Sequence, residues 1–300
     1  MSDSSLPNFD ALWNYSQPAE TETAFRQVRN DVGDCAPETY LLELDTQIAR
    51  TLGLQRKFDE AHSLLDAVEA RATEVGGRPH IRYLLERGRA LNSSGHKDKA
   101  HPLFVQAWEI GKDSGEDGLA VDAAHMVAIV ETPEAALQWN LTALELATTS
   151  EMPAARKWRK SLHNNLGWTF YDLQQFDIAL YHFKKCQDLA LENNDAEFER
   201  IARWCIAKVL RVQGNLDEAL SMQFGQLAEL EKVGRTSGFV FEELAECHYA
   251  LGRTDSAEPF FAQAYAELSQ DPWITQDEPD RISRLLRLSN PAQNPIPEDE

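Results

Sequence analysis

Apolar residues recur at helical spacing along most of the chain, and residues 161–191 show this pattern most clearly. The stretch reads SLHNNLGWTFYDLQQFDIALYHFKKCQDLAL, with Gly167 before a short turn and Ala179 after it. Large apolar residues surround these two positions three or four residues apart, a spacing that places them on one face of a helix. They are Leu166, Phe170, Phe176, Leu180 and Phe183. Because glycine costs about 1 kcal/mol against alanine inside a helix, Gly167 indicates that another backbone comes close. The pattern predicts two amphipathic helices packed as a hairpin.

The same hairpin pattern recurs along the chain. One alanine opens the second helix of each predicted hairpin, at Ala61, Ala100, Ala136, Ala179, Ala219 and Ala257. The mean interval between these alanines is about 39 residues, within the 20–50 residues typical of solenoid repeats. The third hairpin is degenerate, because Pro133 shortens its turn. A solenoid is therefore expected, in which each repeat packs on its neighbours.

The residues of the fourth hairpin resemble a known family. A small residue (Gly167), an aromatic residue three positions later (Phe170), an alanine nine beyond it (Ala179) and a further Phe183 resemble the tetratricopeptide repeat. The long repeats are similar to those of kinesin light chains, whose pattern the NNLGW motif also resembles, and of bacterial peptide-sensing regulators. The resemblance implies an all-α fold, an α-solenoid of about six helical hairpins in a right-handed superhelix.

Four regions follow from this interpretation. They are an N-terminal segment with a short capping helix (1–36), six repeats (37–270), a C-terminal capping helix (271–289) and a disordered acidic tail (290–300). A closing helix is expected because the last repeat of a solenoid has an apolar face to cover. Its apolar residues include Ile282 and Leu285, and three prolines follow it.

Composition narrows the possible partners. The net charge of −20 argues against nucleic acid and against an anionic membrane surface, both of which attract basic proteins. The start of the chain is not a signal peptide, and no apolar stretch approaches the roughly 18 residues of a membrane span. The four cysteines form no CxxC pair, which favours free thiols in the cytoplasm.

No catalytic or metal-binding motif is recognisable in the sequence. The phosphate-binding GxxxxGK[ST], dinucleotide-binding GxGxxG, zinc-protease HExxH and nucleophile-elbow GxSxG patterns are all missing. The acidic residues are expected to form a solvated face. We therefore predict a protein that is not an enzyme and that uses no cofactor and no metal.

The family resemblance suggests a binding surface. In tetratricopeptide proteins the first helix of each repeat lines a concave groove, and the residues around its small crossing residue point inward. On this basis the peptide-binding groove is expected to contain Arg50, Arg89, His125, Asn164, Trp168, Tyr171, Trp204, Lys208 and Arg211. The set is basic and aromatic in an acidic chain, and we expect His125 to be able to gain a charge. Such a surface favours an acidic peptide or a C-terminal carboxylate.

Alternatives stay open at this point. The groove arginines and lysine can instead pair with neighbouring carboxylates, and Trp168 and Trp204 can pack between repeats. The preferred function is a protein–protein interaction module, an adaptor or scaffold whose partner is another protein or peptide. The rivals are a ligand- or peptide-responsive regulatory sensor, an enzyme with a site hidden in the groove, and a non-catalytic subunit that binds through its convex face.

Overall fold

Helices form the entire regular structure of the residues described. The computed structural model describes residues 6–290, and no strand occurs within that range. The expectation of an all-α fold of helical hairpins is thereby confirmed. The chain divides into two compact units, and their boundary in the sequence falls between Thr169 and Phe170.

The N-terminal unit contains three helical hairpins. Its helices are α1 (Pro18–Val32), α2 (Glu38–Leu54), α3 (Phe58–Val75), α4 (Gly77–Ser93), α5 (Lys97–Ser114), α6 (Asp117–Val130), α7 (Pro133–Thr149) and α8 (Pro153–Arg156). Helices α2 and α3, α4 and α5, and α6 and α7 pack as pairs, and the first helices α2, α4 and α6 also pack against one another in turn. A short 3₁₀ turn, Phe9–Leu12, precedes α1.

The C-terminal unit continues the repeat pattern. Its helices are α10 (Phe176–Glu192), α11 (Ala196–Val212), α12 (Leu216–Lys232), α13 (Gly238–Ala250), α14 (Thr254–Leu268), α15 (Pro272–Asp277) and α16 (Pro279–Ser289). Helix α9 (Arg159–Asp172) contains the sequence boundary between the two units. Helix α11 packs against α12 and α13, α13 packs against α14, and α16 packs against α14.

Small residues allow the hairpins to pack closely. The six alanines that define the repeat are all buried. In the second hairpin, a Cβ atom added to Gly88 would lie 2.4 Å from the Phe104 ring, closer than any atom can approach. The glycine is therefore required by an aromatic side chain of the partner helix rather than by its backbone.

The ends of the chain have helices of their own. Helix α1 occupies most of the second half of region 1–36, and α15 and α16 lie within 271–289. Leu285 and Leu288 of α16 are buried. The tail predicted to be disordered lies, apart from Asn290, outside the described residues. Between residues 6 and 290, no helix combines the length and apolarity that crossing a membrane requires.

Candidate ligand-binding site

A large cavity opens in the N-terminal unit, and we call it the N-terminal cavity. Its volume is about 820 Å³, and side chains from α2, α4, α6 and the segment before α1 line it. Among the described residues, six cationic and four anionic side chains border it. The cations are Arg50, Arg78, Arg82, Arg89, Lys157 and Lys160, and the anions are Asp10, Glu86, Glu116 and Asp122. The cavity is therefore net positive although the whole chain has a charge of −20.

Helix α4 contributes most of the arginines because its two faces differ. Arg78, Arg82 and Arg89 are four and seven residues apart, so they share one face of the helix. Gly88 lies about 100° around the helix from Arg89 and packs on the ring of Phe104. Helix α5 packs on the Gly88 side, and the three arginines line the cavity.

Arg89 forms ion pairs with two carboxylates of the same unit. Its guanidinium donates to Glu86 at 2.7 Å and also pairs with Asp122 of α6. Burial lowers the pKa of Arg89, but Asp122 and Glu86 outweigh that effect and hold it above its ordinary value. Arg89 therefore joins α4 to α6 as a structural ion pair.

Arg50 of α2 is in a different situation. Its closest carboxylate oxygen belongs to Glu86, which already pairs with Arg89, and lies 3.7 Å from Arg50 Nε. Arg50 donates no hydrogen bond to any residue between 6 and 290, and its side chain is 26% exposed at the cavity wall. Burial, together with the charge of Arg89, lowers the pKa of Arg50. Glu86 and Asp122 act in the opposite direction but do not outweigh this effect.

His125 lies on the cavity wall as a neutral side chain. Asn165 donates to its Nδ1 over 2.6 Å, and the Trp158 ring centre lies 5.2 Å from the imidazole centre. Burial lowers the pKa of His125 to about 4, and the attraction of Asp122 for a proton does not reverse this shift. The expectation that His125 can gain a charge is wrong at neutral pH, because the ring is desolvated and its Nδ1 accepts a hydrogen bond.

The other predicted side chains lie elsewhere. Asn164 and Trp168 are half-buried on α9 and do not line the N-terminal cavity. The remaining four residues belong to the C-terminal unit: Tyr171, Trp204, Lys208 and Arg211. The structure thus distributes the nine predicted side chains over two units, and it brings Arg50, Arg89 and His125 to one cavity.

The predicted residues of the C-terminal unit have partners there. Arg211 donates from Nε to Glu243 at 2.6 Å. Lys208 Nζ lies 5.2 Å from the centre of the Trp204 ring, and the Trp204 indole donates to the carbonyl of Phe239 over 3.0 Å. Internal pairing, the alternative raised from the sequence, is therefore observed for Arg211 here as it is for Arg89 in the other unit.

Several cavity residues were absent from the sequence-based set. Arg82 lies two turns before Arg89, and the set included only positions within one turn of the small crossing residue. The four- and seven-residue spacing of the α4 arginines was a usable signal. For Asp10, Trp13 and Tyr15 the signal was weaker, since these residues precede the repeats and no periodicity places them at the cavity.

Comparisons with known proteins bear on the fold. No protein-family model and no curated protein matches the chain, whereas solved structures do. A STAND-class signal transduction ATPase with a tetratricopeptide repeat sensor, from Pyrococcus horikoshii, superposes on 92% of this chain with a TM-score of 0.65 and 13% identity. This chain spans 44% of the length of that protein.

Two further similar structures contain bound partners. A Rap protein complexed with Competence and Sporulation Factor has a TM-score of 0.67 and 14% identity, covering 93% of this chain and 79% of its own. NprR in complex with its cognate peptide NprX has a TM-score of 0.62 and 13% identity, covering 96% and 84%. At these identities the likeness establishes the fold, which is that of tetratricopeptide repeat proteins, as the sequence resemblance implied.

Proposed function

We propose that the chain is a non-enzymatic protein–protein interaction module, an adaptor or scaffold whose N-terminal cavity holds an acidic segment of another protein or peptide. The observation that carries this proposal is Arg50, a cation at the cavity wall that donates no hydrogen bond among residues 6–290 and whose ion-pair partner, Glu86 at 3.7 Å, is shared with Arg89. A guanidinium matches a carboxylate in two parallel hydrogen bonds. A ligand carboxylate at this position supplies the compensation that the protein lacks.

The electrostatics of the cavity support the same ligand class. A positive concavity in an acidic protein focuses its field and attracts anions to one place. Of the three predicted side chains at the cavity, we assign the direct contact to Arg50. Arg89 supports it from its ion pairs with Glu86 and Asp122, and neutral His125 offers a hydrogen-bond donor at Nε2.

Apolar side chains in the cavity favour a peptide over a small inorganic anion. Met126, Ile129 and Trp158 line the same space, and Ile129 is 43% exposed. An apolar residue of the ligand that covers this surface is removed from water, which contributes about 25 cal/mol per Å² of buried area. The ligand that fits best has a carboxylate for Arg50 and an apolar side chain next to it.

The titratable groups of the cavity favour binding rather than catalysis. The pKa of His125 is about 4, far from the value near 7 that suits a general base at neutral pH. Glu86 and Asp122 pair with arginines. We therefore propose no chemical step for this site, and we place the protein in the cytoplasm, where its cysteines persist as the free thiols of the structure.

Varying the ligand tests this proposal. Fluorescence anisotropy measures the binding of short labelled peptides that contain aspartate or glutamate next to an apolar residue. Matched peptides carry asparagine or glutamine instead, each with a free or an amidated C-terminus. We expect affinity to fall at least tenfold when the carboxylates become amides, and to weaken with salt. Equal binding by the acidic and the amide peptides would contradict the proposal.

The similarity to peptide complexes favours a second candidate. Two structures with this fold have bound peptides or factors, so a peptide-responsive regulatory sensor is the alternative to a scaffold. A sensor changes its compactness when it binds, whereas a scaffold changes little. Small-angle scattering with and without a bound acidic peptide distinguishes the two by the change in radius of gyration.

A further inference from the structure

The segment before α1 forms one border of the N-terminal cavity, and we call residues 7–16 the clasp. It is held at its start, where the Tyr40 hydroxyl donates to the carbonyl of Pro7 over 2.8 Å. The side chain of Phe9 is buried and meets Phe25 edge to face at 6.1 Å. The beginning of the clasp is therefore part of the hydrophobic core of the N-terminal unit.

The following residues of the clasp make polar contacts with the cavity wall. Asp10 Oδ2 accepts from Arg82 Nη2 at 2.6 Å. Three residues later, the indole of Trp13 donates to Oε1 of Gln47 over 3.2 Å, and Tyr15 stacks on it at 4.6 Å. A carboxylate and an aromatic side chain thus engage a cation and an amide on two adjacent first helices, α2 and α4.

The ion pair of Asp10 differs from the core contact of Phe9 because it is replaceable, whereas Trp13 also meets the buried Phe25 ring edge to face at 5.1 Å. The Asp10 side chain is 45% exposed, and Arg82 keeps a second carboxylate, Glu43, at 2.9 Å from its Nε. Gln47 Nε2 donates to Glu86 over 3.5 Å, but Gln47 Oε1, which accepts from Trp13, is left for water when the clasp leaves. Arg82 therefore stays paired when the clasp leaves, which lowers the free-energy cost of releasing it.

We propose that Arg82 and Gln47 form a recognition site for an acidic residue followed three positions later by an aromatic one, and that Asp10 and Trp13 occupy this site in cis. An external segment with the same pair of side chains displaces the clasp and gains entry to the cavity. The inference rests on the proposed function, since the site borders the same cavity. It adds the spacing between the acidic and the aromatic residue of the ligand, and it names the clasp as the segment that the ligand must displace.

A copy of the clasp is the most direct probe. A fluorescein-labelled peptide of residues 6–16, LPNFDALWNYS, is titrated by anisotropy into the wild-type chain and into a Asp10→Asn/Trp13→Ala variant. Phe9 is kept, but Trp13→Ala also removes the edge-to-face contact of Trp13 with Phe25 at 5.1 Å, so unfolding curves first establish that the variant is folded. We expect the variant to bind the peptide at least tenfold more tightly than the wild type does, because its own clasp no longer competes. Equal affinity, or no binding to either protein, would overturn the inference.

Two controls keep the result specific. Leu12 belongs to the same clasp and is 42% exposed without lining the cavity, so Leu12→Ala is expected to bind the peptide as the wild type does. A peptide in which alanine and asparagine replace the tryptophan and aspartate is expected to lose its affinity for the opened variant. Asp10→Asn alone retains every core contact and is expected to give a smaller gain in the same direction. Tight binding of the altered peptide would also refute the site.

A third substitution separates this inference from the proposed function. Arg50→Gln in the opened variant is expected to change the affinity for the clasp peptide less than threefold, because Arg82 and Gln47 make the contacts. If the clasp peptide binds but Arg50→Gln leaves other acidic peptides unaffected, the proposed role of Arg50 fails and the clasp site stands. If Arg50 matters and opening the clasp does not, the reverse holds.

Discussion

Arginine–carboxylate pairs join neighbouring helices in both units, but the two units differ in how the carboxylates are distributed among the arginines. In the C-terminal unit, three carboxylates of α13 each have an arginine of their own. The pairs are Glu243 with Arg211 of α11, Glu242 with Arg281 of α16 and Glu246 with Arg284 of α16. In the N-terminal unit, Glu86 is shared between Arg89 and Arg50.

This difference separates structural charges from charges available to a ligand. Each of these α13 carboxylates has its own arginine, so the pairs hold adjacent helices in register and leave little net positive charge. Beside the cavity, Arg89 contacts both Glu86 and Asp122, so Arg50 is left with Glu86 at 3.7 Å and has hydrogen-bond donors to offer. The same residue types at equivalent helix positions therefore have different roles, and the distance from each arginine to its carboxylate decides which role it has: 2.6 Å for Arg211 and 3.7 Å for Arg50.

Breaking a balanced pair is expected to give the largest effect. Glu243→Ala leaves Arg211, whose side chain is 18% exposed, without its carboxylate at a buried position. Loss of one partner of a buried pair destabilises by about 3–5 kcal/mol. Urea unfolding measures this loss, and peptide affinity is expected not to change in the folded protein.

A double substitution is the control for this prediction. In Arg211→Met/Glu243→Leu both charges are removed together, so most of the stability is expected to return, because no buried charge is left uncompensated. A Glu243→Ala variant within about 1 kcal/mol of the wild type would show that the pair is not structural.

Glycine substitutions are expected to affect the two units in opposite directions. Gly88→Ala in α4 places a methyl group against the Phe104 ring, and such overpacking costs about 1–3 kcal/mol. Gly225 of α12 has open space around its Cβ position, so Gly225→Ala is expected to stabilise by about 0.5–1 kcal/mol through helix propensity. Thermal unfolding of both variants measures the contrast, and a tolerated Gly88→Ala would refute the close packing of this hairpin.

The pH dependence tests whether the positive charge of the cavity comes from its arginines and lysines alone. The pKa of His125 is about 4 in the folded protein and 6.5 ordinarily, so between these values the unfolded chain binds more protons. Stability therefore falls as the pH drops from 6.5 towards 4, by on the order of 3 kcal/mol from this residue. Urea unfolding at both ends of the window is expected to show a flatter dependence for His125→Gln. An unchanged slope would mean that His125 is solvated.

The sequence predicts the hairpins well because their determinants are local. Ala61, Ala179 and the other repeat alanines are small residues at fixed positions between helical apolar runs, and such patterns depend on neighbouring repeats only. The sequence also indicates that Gly88 is a position where a neighbouring helix comes close. The sequence does not show that the approaching group is the Phe104 ring, because side-chain rotamers across a helix pair leave no periodic signal.

The site is less predictable because it depends on pairings between repeats. The family position of Arg50 and Arg89 indicated that both face inward, yet nothing local shows that they share Glu86. The charge of His125 was misjudged because Trp158 and Asn165, distant in sequence, desolvate the ring and hydrogen-bond to it. Asp10 lies outside every repeat, so the repeat pattern does not predict its contact with Arg82. That contact depends on the course of the segment before α1.

The most direct test of the central claim compares one arginine from each unit. The affinity for an acidic peptide is measured by anisotropy for Arg50→Gln and for Arg211→Gln, after unfolding curves confirm that both are folded. A charge-assisted hydrogen bond contributes about 1.5–3 kcal/mol, so Arg50→Gln is expected to weaken binding roughly 10- to 100-fold. Arg211→Gln is expected to lower stability and leave the affinity of the folded protein unchanged. Equal losses of affinity in the two variants, or no loss with Arg50→Gln, would contradict the account.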